Sequence, residues 1–281
     1  YYWPMGYYTS TEEPARVYLN GAHTGGKDIE ADNLAEAVEA AQNNNIDKIY
    51  VCGNTTVDTA SAASLNSGVT FVRCMDHPTG HMFTIKGDVT LNNAHIDGQN
   101  VAGDQSLIYV PSSGHLTIAG DTVIENGKNA ATKGKGGAIY VLQGSLTMSG
   151  GEIRNNTACE GGGIYAMGGG SKAIVFEGGT VSKNTATGGN GGGGAYIEAT
   201  SSEFGVQGGR TLFDSNVSAQ LGGGVFLVNG TNANTHHYIY KATFTNNQSN
   251  RFMAYFDGGA IYIQSGTTAH MKNVYVSGNR D

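Results

Sequence analysis

The chain has 281 residues, a formal net charge of −7, and 14% charged residues. Without a basic stripe to neutralise phosphates, we expect neither nucleic acid nor an anionic membrane as a partner. No window approaches the roughly 20 apolar residues that span a bilayer, so we also expect no direct membrane insertion.

The N-terminal 30 residues are an aromatic-rich segment that opens with Tyr1-Tyr2-Trp3-Pro4. We expect this segment to pack on the following domain or to lead into it. The lack of an initiator Met and of a leader pattern predicts a fragment of a larger chain, with any signal or anchor outside it. We expect this fragment to be monomeric.

A helix is predicted near residues 33–44, at the start of a single domain that covers residues 31–281. Asn33 followed by Glu36 is typical of a capping box, and Leu34, Val38 and Ala41 fall on one helical face. A short amphipathic helix before the first strand would cap the open end of a repetitive fold.

Three cysteines, Cys52, Cys74 and Cys159, lack metal-site spacing. Cys52 and Cys74 end two successive strand-like runs, so neighbouring turns would bring them near each other. A disulfide and a pair of stacked free thiols are both compatible with this arrangement.

A glycine-rich motif recurs through the second half of the chain. Its copies are Gly-Gly-Ala-Ile-Tyr at 136–140, Gly-Gly-Gly-Ile-Tyr at 161–165, Gly-Gly-Gly-Ala-Tyr at 192–196, Gly-Gly-Gly-Val-Phe at 222–226 and Gly-Gly-Ala-Ile-Tyr at 258–262. A period of this size predicts a solenoid, in which each repeat is one turn. After each motif, apolar residues alternate, as in Ile139/Val141 and Ile164/Ala166, so we place these side chains in the interior.

Two further runs complete each repeat. The second run pairs apolar residues two apart: Leu116/Ile118, Leu146/Met148, Ile174/Phe176 and Phe204/Val206. The third run ends in an apolar residue and an asparagine three positions later: Val123/Asn126, Ile153/Asn156, Val181/Asn184, Phe213/Asn216, Phe244/Asn247 and Val276/Asn279. Asparagine tolerates the left-handed conformation and can hydrogen-bond to its copy in the next turn.

The pattern predicts an all-β, right-handed parallel β-helix with three strands per turn. The last turn would leave its strand edges unpaired, so we expect truncation at the C-terminus.

The repeat units resemble those of pectate-lyase-like, right-handed β-helix surface proteins. Segments such as Met-Ser-Gly-Gly-Glu-Ile-Arg-Asn-Asn-Thr-Ala at 148–158 are similar to large repetitive cell-wall proteins of gut Gram-positive bacteria. The paired signals Gly-Gly-Ala-Ile and Phe-x-x-Asn also resemble the repeats of chlamydial polymorphic membrane proteins, which are adhesins. The resemblance covers roughly residues 30–281. It implies the fold and leaves the activity open, because the superfamily includes lyases, hydrolases and adhesins.

Aromatic residues recur at the outward position of the first strand, where a parallel β-helix would stack them at about 4.8 Å spacing. They are Tyr109, Tyr140, Tyr165, Tyr196, Phe226 and Tyr262. Two interpretations stay open: a structural stack that stabilises neighbouring strands, and a rigid platform for a sugar or a protein.

The insertion Arg251-Phe252-Met253-Ala254-Tyr255-Phe256 lies where other repeats carry small polar residues. We name Arg251, Phe252, Met253, Tyr255 and Phe256 as binding candidates. Folding back over the side of the coil as a small core is an equally good interpretation. His236 and His237 lie in a polar insertion without a third ligand nearby, so we interpret them as surface loop residues and expect no metal site.

No catalytic constellation is recognisable. Asp97 is the best single candidate for lyase chemistry, but Asp97-Gly98 is more typical of a turn. The remaining carboxylates occupy different positions in the repeat, and none forms the close pair that glycosidic chemistry requires.

We therefore expect a non-catalytic, adhesin-like binding module on a bacterial cell surface. Its partner would be a host extracellular glycoprotein, an immunoglobulin or a glycan, with no cofactor. The alternatives are a polysaccharide lyase or glycoside hydrolase, and a passive stalk.

Overall fold

A computed structural model describes residues 15–21, 27–76, 79–168, 174–199, 201–229, 236–250 and 258–281. Within these residues the chain forms an all-β parallel β-solenoid of about eight turns, which confirms the predicted fold class. The aromatic stretch from Tyr1 to Tyr8 lies outside the described residues.

Two helices and thirty strands make up the described fold. The helices are α1 (Leu34–Asn43) and α2 (Ala62–Leu65). The first strands are β1 (Val17–Leu19), β2 (Ile29–Ala31), β3 (Lys48–Val51), β4 (Thr55–Val57), β5 (Thr70–Arg73), β6 (Phe83–Ile85), β7 (Gly87–Leu91), β8 (His95–Asp97), β9 (Ala102–Gly103), β10 (Ile108–Val110), β11 (Gly114–Ile118), β12 (Val123–Glu125) and β13 (Lys128–Asn129). The next are β14 (Ile139–Leu142), β15 (Ser145–Arg154), β16 (Thr157–Ala158), β17 (Ile164–Met167), β18 (Ile174–Ser182), β19 (Thr185–Ala186), β20 (Ala195–Glu198), β21 (Ser201–Phe204), β22 (Leu212–Asp214) and β23 (Val217–Ser218). The last are β24 (Val225–Leu227), β25 (His236–Tyr240), β26 (Thr243–Thr245), β27 (Gln248–Ser249), β28 (Ile261–Ile263), β29 (Thr268–Lys272) and β30 (Tyr275–Ser277).

The strands form three parallel sheets that run along the coil. Eight strands, from β4 to β28, form one sheet, and the five from β14 to β28 each follow a copy of the glycine-rich motif. Sixteen strands form the second sheet, in which β15 and β18 are long enough to contain both the second and the third predicted strand of their turns. The third sheet has six two-residue strands, from β9 to β27, directly after the asparagine bend. This short fourth strand adds to the three that the sequence pattern predicts.

The two glycines of the motif meet two different requirements. The first glycine has a φ of +60° to +75° in all five copies, a region that side chains with a Cβ rarely adopt. At the second glycine, a Cβ would lie within 2.2–2.5 Å of backbone in the neighbouring turn. The motif therefore recurs because each turn needs one left-handed residue and one close backbone approach.

The interior of the coil is a continuous apolar core. Ile139, Ile164 and Val225 are fully buried and lie in register, as the alternation predicts. The second run departs from prediction, because Phe204 aligns with Phe176 and the buried pair Ser202 and His237 continues the column of Leu146 and Ile174. In the third run the inward residue is Ile124 rather than Val123.

A ladder of asparagines, buried except at its end at Asn279, closes the third bend in five successive turns. Each side-chain Nδ2 donates to the Oδ1 of the next asparagine at 2.8–3.0 Å. The members are Asn156, Asn184, Asn216, Asn247 and Asn279. The left-handed residue is the one before each asparagine, as at Lys183 and Ser215. Asn126 has this left-handed conformation too, and Gly127 takes the ladder position in that turn.

The helix α1 covers the N-terminal end of the coil. Asn33 caps it by accepting a hydrogen bond from the Glu36 N–H at 3.0 Å, and its buried face contacts β1, β2 and β3. Strand pairing already begins before this helix, since β1 pairs with both β2 and β3. Cys52 and Cys74 form a disulfide.

Replacing Ile164 by Asp should destabilise several turns. Ile164 is fully buried between Ile139 and Ala195, and an unpaired carboxylate there costs several kcal/mol. Thermal melting followed by circular dichroism measures the effect, with the outward-facing Thr147→Asp as control. A mild effect of Ile164→Asp would contradict the assigned inward face.

Replacing Asn216 by Ala should cost roughly 3 kcal/mol or more, because its partners in the ladder lose buried hydrogen bonds. Asn216 accepts from the N–H and Nδ2 of Asn184 and donates to Asn247. Urea denaturation gives the change in unfolding free energy. The exposed Asn250→Ala serves as control, and equal losses in the two variants would show that the ladder contributes nothing special.

Candidate functional site

The six repeated aromatic residues form one stack, here termed the aromatic ladder. They are Tyr109, Tyr140, Tyr165, Tyr196, Phe226 and Tyr262. In-register pairing of β10, β14, β17, β20, β24 and β28 places them at the same position of successive turns. Adjacent ring centroids lie 4.7–5.7 Å apart.

The centre of the aromatic ladder is buried, although it points away from the coil interior. Tyr165, Tyr196 and Phe226 are 2–4% exposed and form an apolar cluster with Val228, separate from the main core. Tyr109, Tyr140 and Tyr262 are partly exposed. The outward platform expected from the sequence is therefore accessible at its ends and not along its whole length.

His81 extends the aromatic ladder at its N-terminal end. Its ring stacks on Tyr109 with centroids 4.8 Å apart and an interplanar angle of 11°. Nδ1 of His81 lies 2.9 Å from Oγ of Ser106, and burial lowers the pKa of this imidazole. No repeat pattern indicates this contact, since the residue paired in register with Tyr109 is Thr84 and His81 reaches the stack from a loop.

Charged side chains flank the middle of the aromatic ladder. Nζ of Lys135 lies 4.6 Å from the ring centroid of Tyr165, a cation–π distance. The Tyr165 hydroxyl donates to Glu198 at 3.2 Å. Burial and then the charge of Glu198 raise the pKa of Tyr165, and the same two causes raise the pKa of Tyr196 to about 12. Both hydroxyls stay protonated at physiological pH, and that of Tyr165 acts as a hydrogen-bond donor.

The second group of binding candidates, Arg251, Phe252, Met253, Tyr255 and Phe256, lies outside the described residues. Their assignment as a binding loop stays a prediction.

Two carboxylates, Glu125 and the lyase candidate Asp97, are engaged in structural hydrogen bonds. Glu125 accepts from Arg154 at 2.9 Å and lies 2.7 Å from Nε2 of His95. Burial opposes ionisation, but these hydrogen bonds outweigh it and lower the pKa of Glu125. Asp97 accepts from the Gln99 N–H at 2.7 Å and from Asn126 at 2.9 Å, which is the geometry of a turn. A carboxylate held ionised, like Glu125, is poorly suited to donate a proton to a leaving group.

Across the described part of the chain, no three His, Cys, Asp or Glu side chains are grouped to hold a metal ion. Within the same residues no helix has the length and apolarity to cross a membrane.

His236 and His237 lie on strand β25 and not on a loop, which corrects their interpretation from sequence. His237 points into the coil, is fully buried and lies 2.8 Å from Oγ of the buried Ser202. Burial lowers the pKa of His237 to about 4. His236 points outward.

The buried His237 predicts an acid-sensitive fold. Because its pKa in the folded state is below the ordinary value of about 6.5, its contribution to stability is present above pH 6.5. This contribution is lost as the pH falls towards 4, and the free energy of unfolding decreases by up to about 3 kcal/mol. Urea denaturation at pH 7 and pH 4.5 should show a smaller loss in His237→Leu than in the wild type. The exposed His115→Leu should keep the wild-type loss, and equal losses in all three proteins would contradict the assignment.

The model of the Chlamydia polymorphic membrane protein (Chlamydia_PMP) repeat matches residues 241–264. This span contains strands β26, β27 and β28, Asn247 of the asparagine ladder and the Gly258-Gly259 pair. No curated protein and no solved structure matches the chain. The turn at 241–264 is thus similar to a chlamydial polymorphic membrane protein repeat, as its Phe-x-x-Asn and Gly-Gly-Ala-Ile signals predict.

Proposed function

We propose that this chain is a non-catalytic, adhesin-like binding module of a bacterial cell-surface protein, which engages a host glycoprotein, an immunoglobulin or a glycan. The observation that carries the proposal is the polymorphic membrane protein repeat within a parallel β-helix. A rigid coil of this kind presents the same side-chain positions repeatedly along one face, which suits contact with an extended partner.

The partly exposed N-terminal end of the aromatic ladder is the proposed contact surface. It comprises His81, Tyr109 and Tyr140: His81 stacks on Tyr109, and the tilted Tyr140 ring contacts Tyr109, so the rings are ordered before a partner binds. Tyrosine contributes a large contact area for few rotatable bonds and retains a hydroxyl for hydrogen bonding. Because the side chains are already ordered, binding would cost little conformational entropy.

The net charge of −7 supports a partner other than nucleic acid or an anionic membrane. A non-catalytic role is supported by the hydrogen bonds of Glu125 and Asp97, because both carboxylates are held by neighbouring residues of the coil.

A passive stalk is the second candidate function. It is favoured by the burial of Tyr165, Tyr196 and Phe226, because side chains that are 2–4% exposed stabilise the coil and offer little contact area. A stalk would need the aromatic ladder for stability alone.

The two candidates predict different effects of matched substitutions. If the module binds through the exposed end, Tyr109→Ala combined with Tyr140→Ala should weaken ligand binding by tenfold or more. Tyr196→Ala should mainly lower stability, by roughly 3 kcal/mol, because it leaves a cavity in a buried stack. The ligand is first identified with a glycan array and a pull-down from host secretions. Binding affinity and melting temperature are then measured for each variant.

The loop pair Phe252→Ala and Tyr255→Ala forms a separate arm of the same experiment and tests residues 251–256 as the contact surface. Unchanged binding in both the ladder and the loop variants would contradict the proposed surfaces. Absence of any ligand would favour the stalk. Release of reducing ends or unsaturated products from a glycan, abolished by Asp97→Asn, would contradict the non-catalytic role.

A further inference from the structure

Two histidines from neighbouring turns meet on the outer face of the sixteen-stranded sheet. Nδ1 of His236 on β25 lies 3.3 Å from Nε2 of His270 on β29. Parallel pairing sets Tyr238 opposite His270, so the two histidines are diagonal neighbours across the strands. His237 and Ile239 point into the coil, and the alternation of the strand therefore directs His236 and Tyr238 outward.

Tyr238 holds both imidazole rings in place. Its ring stacks on His270 with centroids 5.1 Å apart and an interplanar angle of 13°. It also stacks on His236 with centroids 6.2 Å apart and an angle of 29°. The two ring nitrogens are therefore oriented by the fold, because the strand register and one shared aromatic contact fix their positions.

The separation of the two nitrogens, 3.3 Å, is one that two ligands of a tetrahedral metal ion would have. Zinc binds imidazole nitrogen at about 2.0–2.1 Å, so two ligands at the tetrahedral angle lie roughly 3.3–3.4 Å apart. Two adjacent ligands of a square-planar ion would lie roughly 2.9 Å apart.

We propose that His236 and His270 form a binding site for a zinc ion, with neutral imidazoles as its two protein ligands. In the described residues no third His, Cys, Asp or Glu completes a cluster with them. The remaining coordination positions are open to water or to a carboxylate or imidazole of a partner. The site is on a different sheet from the aromatic ladder, so it is independent of the proposed function.

Zinc titration of the full chain without a histidine tag tests the proposal. Isothermal calorimetry should give one zinc ion per chain, and zinc should raise the melting temperature of the protein. Loss of an outer partner of a metal ligand already costs 10–100-fold in affinity. We therefore expect His236→Ala and His270→Ala each to weaken zinc binding by at least tenfold and to abolish the shift in melting temperature.

The matched control is His115→Ala, which removes another exposed histidine of the same sheet, one that contacts Ser145 and not a second histidine. This variant should bind zinc as the wild type does. Absence of zinc binding in the wild type, or unchanged binding in the double variant His236→Ala/His270→Ala, would overturn the proposal. Histidine ring NMR of the wild type gives a check that does not depend on variant folding. Zinc should shift the resonances of His236 and His270, and unmoved resonances at these two residues would overturn the proposal as well.

Discussion

In the regular strands each turn of the coil is hydrogen-bonded in register to the next, so a side chain there lies against the side chain at the same position one turn along. At a spacing of about 4.8 Å, such a column suits residues that interact well with their own kind. Isoleucine packs on isoleucine, and aromatic rings stack. An asparagine amide donates to the asparagine of the next turn and accepts from that of the preceding turn. Glu125 lies in register between Asp97 and Arg154, and the Arg154 guanidinium donates to its carboxylate at 2.9 Å. Composition, core and surface all follow from this one constraint.

The sequence was most informative where the repeat is regular. The inward positions of the first strand, such as Ile139 and Ile164, were predictable because alternation and the paired glycines fix both phase and direction. The third strand was harder to predict. Asn126 has the spacing of an asparagine-ladder residue but adopts the left-handed conformation, and Gly127 takes the position in the asparagine ladder. For the second strand, the register predicted from the sequence was wrong in the turn after Phe176. A serine and a histidine there occupy interior positions that hydrophobicity assigns to apolar residues.

At the candidate site too, the features set by the repeat were predictable from the sequence, and those that differ between turns were not. Strand register determines that the six ladder aromatics stack, and the sequence alone was sufficient for that. Their exposure depends on what lies over each turn, which no repeat pattern encodes, and Tyr165 and Tyr196 are consequently buried while Tyr109 is not. His81 and His270 were missed for a related reason. One reaches its partner from a loop, and the other is 34 residues from His236 with an insertion between them.

The asparagine ladder has a direction along the coil. Asn156 donates both its backbone N–H and its Nδ2 to the oxygen of Asn184, and Asn184 does the same towards Asn216. Each turn therefore obtains its acceptor from the turn that is synthesised after it. A bend without its successor has two donors without a partner in the ladder, the backbone N–H and one Nδ2 hydrogen of its asparagine. The ladder is therefore completed in the direction away from helix α1, and each turn completes the hydrogen bonds of the turn before it.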